Sequence, residues 1–395
     1  MFLTEGQQGM LDGKEGEVVQ RCMRLLVRLG EIYGAGEMIS IKSAQVAGVS
    51  YKTVGDPGLE FLQDFAGKGA KVVIPTFLNP AGMDLVDWEE LGFPKDFAEK
   101  QNQVIDAFRR MGISISATCT PYLAGNRPLK GEHLAWSESS AVSFANSVIG
   151  ARTNREGGPS SLAAAICGFT PKYGLHLDEN RKPQLVIDVP ARMEKNSDFG
   201  ALGNWAGKKA GKKIPYFTGI KSATEDQLKL LGAAMAASGA VAMYHVRGIT
   251  PEAGNHDTSG LERMEFTDKD KEDVYSDLST TEHPQLIVFG CPHASLDEIR
   301  EIAKRLKGKE VKKQLWVCTS RAVKEKAGKE GLVNIIREAG GHVVADTCMV
   351  VAPIEQMGFT STGVNSGKAA AYLPGFCKQK VMFRDIGKLI EEALS

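Results

Sequence analysis

Apolar residues near the start of the chain recur at helical spacing. Val18, Val19, Cys22, Leu25, Leu26, Leu29 and Ile32 share one face and predict an amphipathic helix. A glycine-rich stretch over 34–69 follows. Residues 71–77 then read as a buried strand running into the loop 78–82, residues 94–111 as a helix, and residues 113–118 as a strand ending at Cys119. In the middle third a helix is predicted over 137–149, a polar loop over 150–158 and a second helix over 159–167, with Pro159 in the favoured first position. Strands over 184–189 and 240–246 flank a helix that Ser222-Ala223-Thr224-Glu225 opens as a capping box. Residues 254–283 are polar and densely charged, which predicts a solvated helix or linker before a domain boundary.

The last third has the plainest pattern. Short apolar runs at 286–289, 314–317, 342–345 and 381–383 alternate with helical patterns at 296–306, 322–339 and 385–394. That rhythm predicts a doubly wound α/β domain with a mainly parallel sheet. The chain therefore divides into an N-terminal α/β region over 1–135, a middle α/β region over 136–283 and a C-terminal domain over 284–395.

Composition narrows the function classes. The chain has 395 residues, 48 Lys+Arg and 48 Asp+Glu, so its formal net charge is zero. No strong positive field favours nucleic acid. A near-neutral surface also suits a protein that docks on a partner. The N-terminus lacks the basic and apolar segments of a signal peptide, and no run approaches a membrane span. A cytoplasmic protein is expected, with neither nucleic acid nor membrane among its partners.

Seven cysteines stand far apart without a CxxC, which does not suit a disulfide framework or a zinc ribbon. Cys22 and Cys167 fall on helix faces and read as core. Cys119, Cys291, Cys318 and Cys348 follow predicted strands, where α/β sheets bind ligands. Three thiolates from separate strand tips would hold an iron–sulfur cluster and leave one iron free for substrate. The loop before Pro159 offers Asn154 and Arg155 as anion donors. The segment Gly363-Val364-Asn365-Ser366-Gly367-Lys368 imitates a phosphate-binding loop. It is one residue short, lacks the Ser/Thr, and follows no plain strand, so Lys368 is left as a point charge for a substrate anion. His293 and His245 stand at strand ends.

Several segments together resemble the large subunit of the aconitase X family, over essentially the whole chain. They are Cys119-Thr120-Pro121-Tyr122, Trp136-Ser137-Glu138-Ser139-Ser140-Ala141, the stretch from Asn146 to Gly158, Gly290-Cys291-Pro292-His293, Asp346-Thr347-Cys348-Met349, and Asn365-Ser366-Gly367-Lys368-Ala369-Ala370-Ala371-Tyr372. The resemblance implies an aconitase-like catalytic body of several α/β/α layered domains around an iron–sulfur cleft. It implies Cys119, Cys291 and Cys348 as ligands of a [4Fe–4S] cluster with one open iron. It also implies a separate small subunit with a swivelling domain, for which 395 residues leave no room here. The implied reaction is dehydration of (R)-5-phosphomevalonate, a phosphorylated hydroxy acid, to trans-anhydromevalonate 5-phosphate in an archaeal-type mevalonate pathway.

On that reading Asn79, Asn154, Arg155, Ser320, Arg321 and Lys368 are the expected substrate donors. His293, Glu138 and Glu156 are the expected proton carriers or water-orienting groups. The same family includes dehydration of cis-3-hydroxy-L-proline, which is the nearest alternative. A non-catalytic iron–sulfur sensor or RNA-binding protein, and a zinc protein using the same cysteines, are alternatives from other classes.

Overall fold

The computed structural model describes residues 1–395, the side chain of Asn255 apart. Its strands fall into four small sheets. The chain opens with α1 (Glu5–Asp12), α2 (Glu17–Ile32), β1 (Met38–Ser40), β2 (Ala44–Val46) and α3 (Tyr51–Gly67). It continues with β3 (Thr76–Leu78), α4 (Lys95–Arg110), β4 (Ala135–Trp136), α5 (Ser139–Phe144), α6 (Gly158–Cys167) and β5 (Phe169–Pro171). The apolar face of α2 buries Cys22, Met23 and Leu26 in a core shared with α6 and α4. β2 lies between β3 and β4, parallel to both, while β1 and β5 pair antiparallel. Ala135 and Trp136, at the expected division between the first two regions, thus belong to a strand of this sheet.

Two expected strands here differ. Of residues 71–77 only the end becomes β3. Pro75 has no N–H to donate, and Val72 and Val73 donate instead to the carbonyls of Met111 and Ala165. Residues 113–118 form a single bridge, Ser114 to Phe77, and Ala117 at φ 40° leaves the extended region. The expected helix over 137–149 appears as α5 followed by a π-turn, Ala145–Ile149.

The middle of the chain holds β6 (Leu185–Asp188), α7 (Asn196–Ala210), β7 (Pro215–Thr218), α8 (Glu225–Gly239), β8 (His245–Val246), β9 (Arg263–Glu265) and α9 (Asp268–Asp277). Its sheet is parallel in the order β8-β7-β6-β9. α8 is opened by Thr224 with Gln227, a capping box two residues later than Ser222 with Glu225. Ala240, at φ 60°, delays β8 to its last two residues.

The final part holds β10 (Leu286–Phe289), α10 (Leu296–Leu306), β11 (Gln314–Thr319), α11 (Arg321–Lys329), α12 (Leu332–Glu338), β12 (His342–Ala345), β13 (Ser361–Val364), α13 (Gly367–Cys377), β14 (Lys380–Phe383) and α14 (Ile386–Leu394). Five parallel strands run β12-β11-β10-β13-β14, with an apolar core on each face. The expected helix over 322–339 breaks at Gly331, φ 75°. A strand does precede the loop that imitates a phosphate site: β13 is fully buried beside β10. Among the described residues no helix is long and apolar enough to cross a membrane.

Candidate active site

The two outer tips of one half-sheet carry two of the thiols. Cys291 follows β10 and Cys348 follows β12, with β11 between them. The turn into Cys291 depends on Gly290. Its φ is 96°, and a Cβ there would lie 2.0 Å from the Cys318 carbonyl oxygen. Cys119 arrives from the first part of the chain, on a loop bonded to β3 through Thr118 N–H and the Leu78 carbonyl. All seven cysteines are free and buried.

The thiols share one electrostatic neighbourhood. Cys291 hydrogen-bonds to Cys348, which raises Cys291 and lowers Cys348. Burial, with Glu138 adding, pushes Cys119 up to about 12. The Lys368 ammonium acts in the lowering direction on all three. Lys368 stands in the first turn of α13 and pairs with Glu138, and its Nζ is 3.3 Å from Ser140 Oγ. Burial would raise Glu138. Lys368, Asn79 Nδ2 at 2.7 Å and Ser140 Oγ at 3.0 Å reverse that and hold its carboxyl below the usual range. Burial would likewise lower Lys368, but Glu138 keeps it above an ordinary lysine.

This donor set fits an iron–sulfur group. Soft sulfur ligands converge from three loops beside one cation. Two buried polar atoms without partners, Tyr122 Oη and Thr347 Oγ1, lie on these loops, and a third, Asn79 Oδ1, lies just after β3 beside Glu138. Among the described residues no three His, Cys, Asp or Glu side chains close on one ion. Ligands of a cluster attach to different irons, whereas a zinc ion needs its thiolates around a single point.

Family models for the first, second and third domains of aconitase X match residues 1–179, 183–276 and 284–395. The chain belongs to the aconitase X family. A protein of Methanocaldococcus jannaschii named phosphomevalonate dehydratase large subunit is 52% identical, over 99% of this chain and 100% of its own length. The cis-3-hydroxy-L-proline dehydratase of Hypocrea jecorina is 31% identical over 99% of this chain, which spans 68% of that protein. A crystal structure of Thermococcus kodakaraensis aconitase X, in its holo-form, has a TM-score of 0.94, 48% identity and full coverage of both chains.

Within this aconitase X fold the structure brings Cys119, Cys291, Cys348, Glu138, Lys368 and Asn79 together. Other expected site residues are engaged elsewhere. Asn154 Nδ2 donates to the Tyr173 carbonyl and its Oδ1 accepts from Leu175 N–H. The Glu156 carboxyl accepts from Ser160 Oγ at 2.6 Å and Thr170 Oγ1 at 3.2 Å, and burial raises it. Arg155 is exposed. Ser320 caps α11. Arg321 is clamped between Asp84 and Asp346, one residue before Thr347, so it braces the Cys348 loop. His293 has both ring nitrogens bonded to protein, at Thr118 and Thr347, unlike a free proton carrier.

Sequence reasoning missed Ser140, Thr118, Thr347 and Asp84. Three of them adjoin residues it chose, since Thr118 and Thr347 each precede a candidate cysteine and Ser140 follows Glu138 by two. That adjacency was the available signal. Asp84, on a loop remote in sequence, carried none.

Proposed function

We propose that the chain is the large, catalytic subunit of a hydro-lyase that dehydrates (R)-5-phosphomevalonate to trans-anhydromevalonate 5-phosphate. The observation that carries this reading is full-length similarity, at 52% identity, to a protein named for that substrate. The convergence of three thiols on Lys368 supports the chemistry. Cys119, Cys291 and Cys348 would hold an iron–sulfur cluster, [4Fe–4S] in this reading. Bound there, the cluster supplies a Lewis acid that eases departure of the C3 hydroxyl.

The chain's own residues bind and orient. Lys368 has three N–H donors, and Glu138 and Ser140 take two. The third is left for the substrate carboxylate, at a helix N-terminus that also favours an anion. A carboxyl held as low as Glu138 is a poor proton acceptor near neutral pH. Its work is to keep Lys368 charged and to fix Asn79, whose free Oδ1 faces no protein donor. The name "large subunit" borne by such relatives supports a small subunit as partner.

The test is anaerobic reconstitution of the chain with its small subunit, with phosphomevalonate followed by phosphorus NMR. Loss of the substrate resonance and growth of an alkenyl phosphate product are expected. An iron-loaded complex that leaves phosphomevalonate untouched rejects the substrate. The Hypocrea jecorina relative favours cis-3-hydroxy-L-proline as second reading. Competition of both compounds in one assay decides between them.

A further inference from the structure

One buried side chain touches all three cysteine loops. His293 lies two residues after Cys291, on the loop from β10 to α10, and is 1% exposed. Its main-chain N–H donates to Cys119 Sγ at 3.2 Å. Its Nε2 lies 2.9 Å from the Thr347 carbonyl oxygen. A carbonyl only accepts, so Nε2 carries the hydrogen and Nδ1 is an acceptor. Thr118 Oγ1, 2.9 Å from Nδ1, is then the donor. The same hydroxyl oxygen accepts from Thr120 N–H at 3.1 Å, which extends the link past Cys119. On the far side the His293 carbonyl accepts from Lys229 Nζ at 3.3 Å, itself paired with Asp226 and Glu298.

We infer that His293 is a positioning residue that sets the separation of the Cys119, Cys291 and Cys348 loops. The inference rests on the reading that these cysteines hold a cluster. No ring nitrogen is left for substrate or for iron, which separates this role from that of an acid, a base or a fourth ligand. The three loops enter from separate strands, two from the final sheet and one from the first part of the chain. Arg321 and the bond from Ala81 N–H to the Asp346 carbonyl already tether the Cys348 loop. His293 adds the tie that joins it to both other thiol loops, whose sulfurs need fixed separations in a cluster. Groups that orient ligands in this way govern how firmly metal is held.

The experiment uses the full chain with His293→Ala, His293→Gln and Thr118→Val. Hydrogen exchange by mass spectrometry is read in the metal-free chain over residues 116–121 and 345–350. Iron release to a ferrous chelator is read after reconstitution. His293→Ala is expected to speed exchange in both segments and iron release by about tenfold. His293→Gln, which keeps a donor near Nε2, restores residues 345–350. Thr118→Val loosens residues 116–121 alone. Unchanged exchange and iron release, with only turnover lost, would overturn the inference and place the ring on the substrate. Should His293→Ala unfold the chain, Thr118→Val decides by the same readings. Cys291→Ala is the parallel control. If it retains iron like the parent chain, the ligand reading fails, while exchange in the metal-free chain still judges the tie.

Discussion

At Gly290 two constraints meet in one residue: a left-handed backbone and a carbonyl oxygen in the space a methyl would fill. Gly290→Ala is expected to cost roughly 3 kcal/mol or more, measured by denaturant titration, and to lower iron content by displacing Cys291. Glu138→Gln leaves Lys368 without its counter-charge. It should weaken substrate binding and turnover together while iron content stays constant, and steady-state kinetics beside iron analysis checks this. Cys119, Cys291, Cys318 and Cys348 stood out in the sequence as thiols after predicted strands, and the family resemblance chose three of them. Glu138 and Lys368 were singled out separately, Glu138 as a proton carrier, and their pairing was not readable. Asn154, Ser320, Arg321 and His293 were readable only as types. Whether a donor is free depends on what its neighbours have taken, and those neighbours, such as Asp84 for Arg321, lie far away in the chain.

Among elements, the π-turn at 145–149 and the loop after it are held from outside. Arg181 is 1% exposed and spends its donors on Asn146, Ala151, Leu175 and a two-pronged pair with Glu252. Arg181→Met leaves Glu252 and the main-chain carbonyls of Asn146, Ala151 and Leu175 without these partners. The expected loss is about 3–5 kcal/mol by chemical denaturation, and a loss under about 1 kcal/mol would show that water replaces the guanidinium. Helices with strong apolar stripes, such as α2 and α10, were predicted nearly to the residue. β13 and α13 were not. Ser361-Thr362-Gly363-Val364 is small and partly polar, and it is a strand because β10 and β14 flank it, not because of its own propensity.

For the molecule as a whole, buried neutral histidines govern behaviour in acid. Burial first, and then neighbouring positive charges, depress His176 to about 3, and burial depresses His245 to about 4, both from an ordinary 6.5. The unfolded chain therefore takes up protons that the folded chain refuses. Stability is full above about pH 6.5 and falls as the pH drops toward 4 for His245 and toward 3 for His176, by on the order of 3 kcal/mol for each. Denaturation midpoints across pH measure this. His245→Gln should flatten part of the slope, and an unchanged slope would count against the assignment. The overall α/β class was readable from alternating patterns. The small first sheet was not, since its strands of two or three residues carry little periodicity.

The placement of Cys119 on one part of the fold and of Cys291 and Cys348 on another has a consequence for biogenesis. During translation Cys119 emerges long before the other two thiols, Cys291 joins it after β10, and the set stays incomplete until Cys348 follows β12. On the proposed ligand set, a nascent chain therefore lacks the full trio of thiols at any earlier stage. Cluster loading would then wait for Cys348, and a product terminated before it would lack the third thiol.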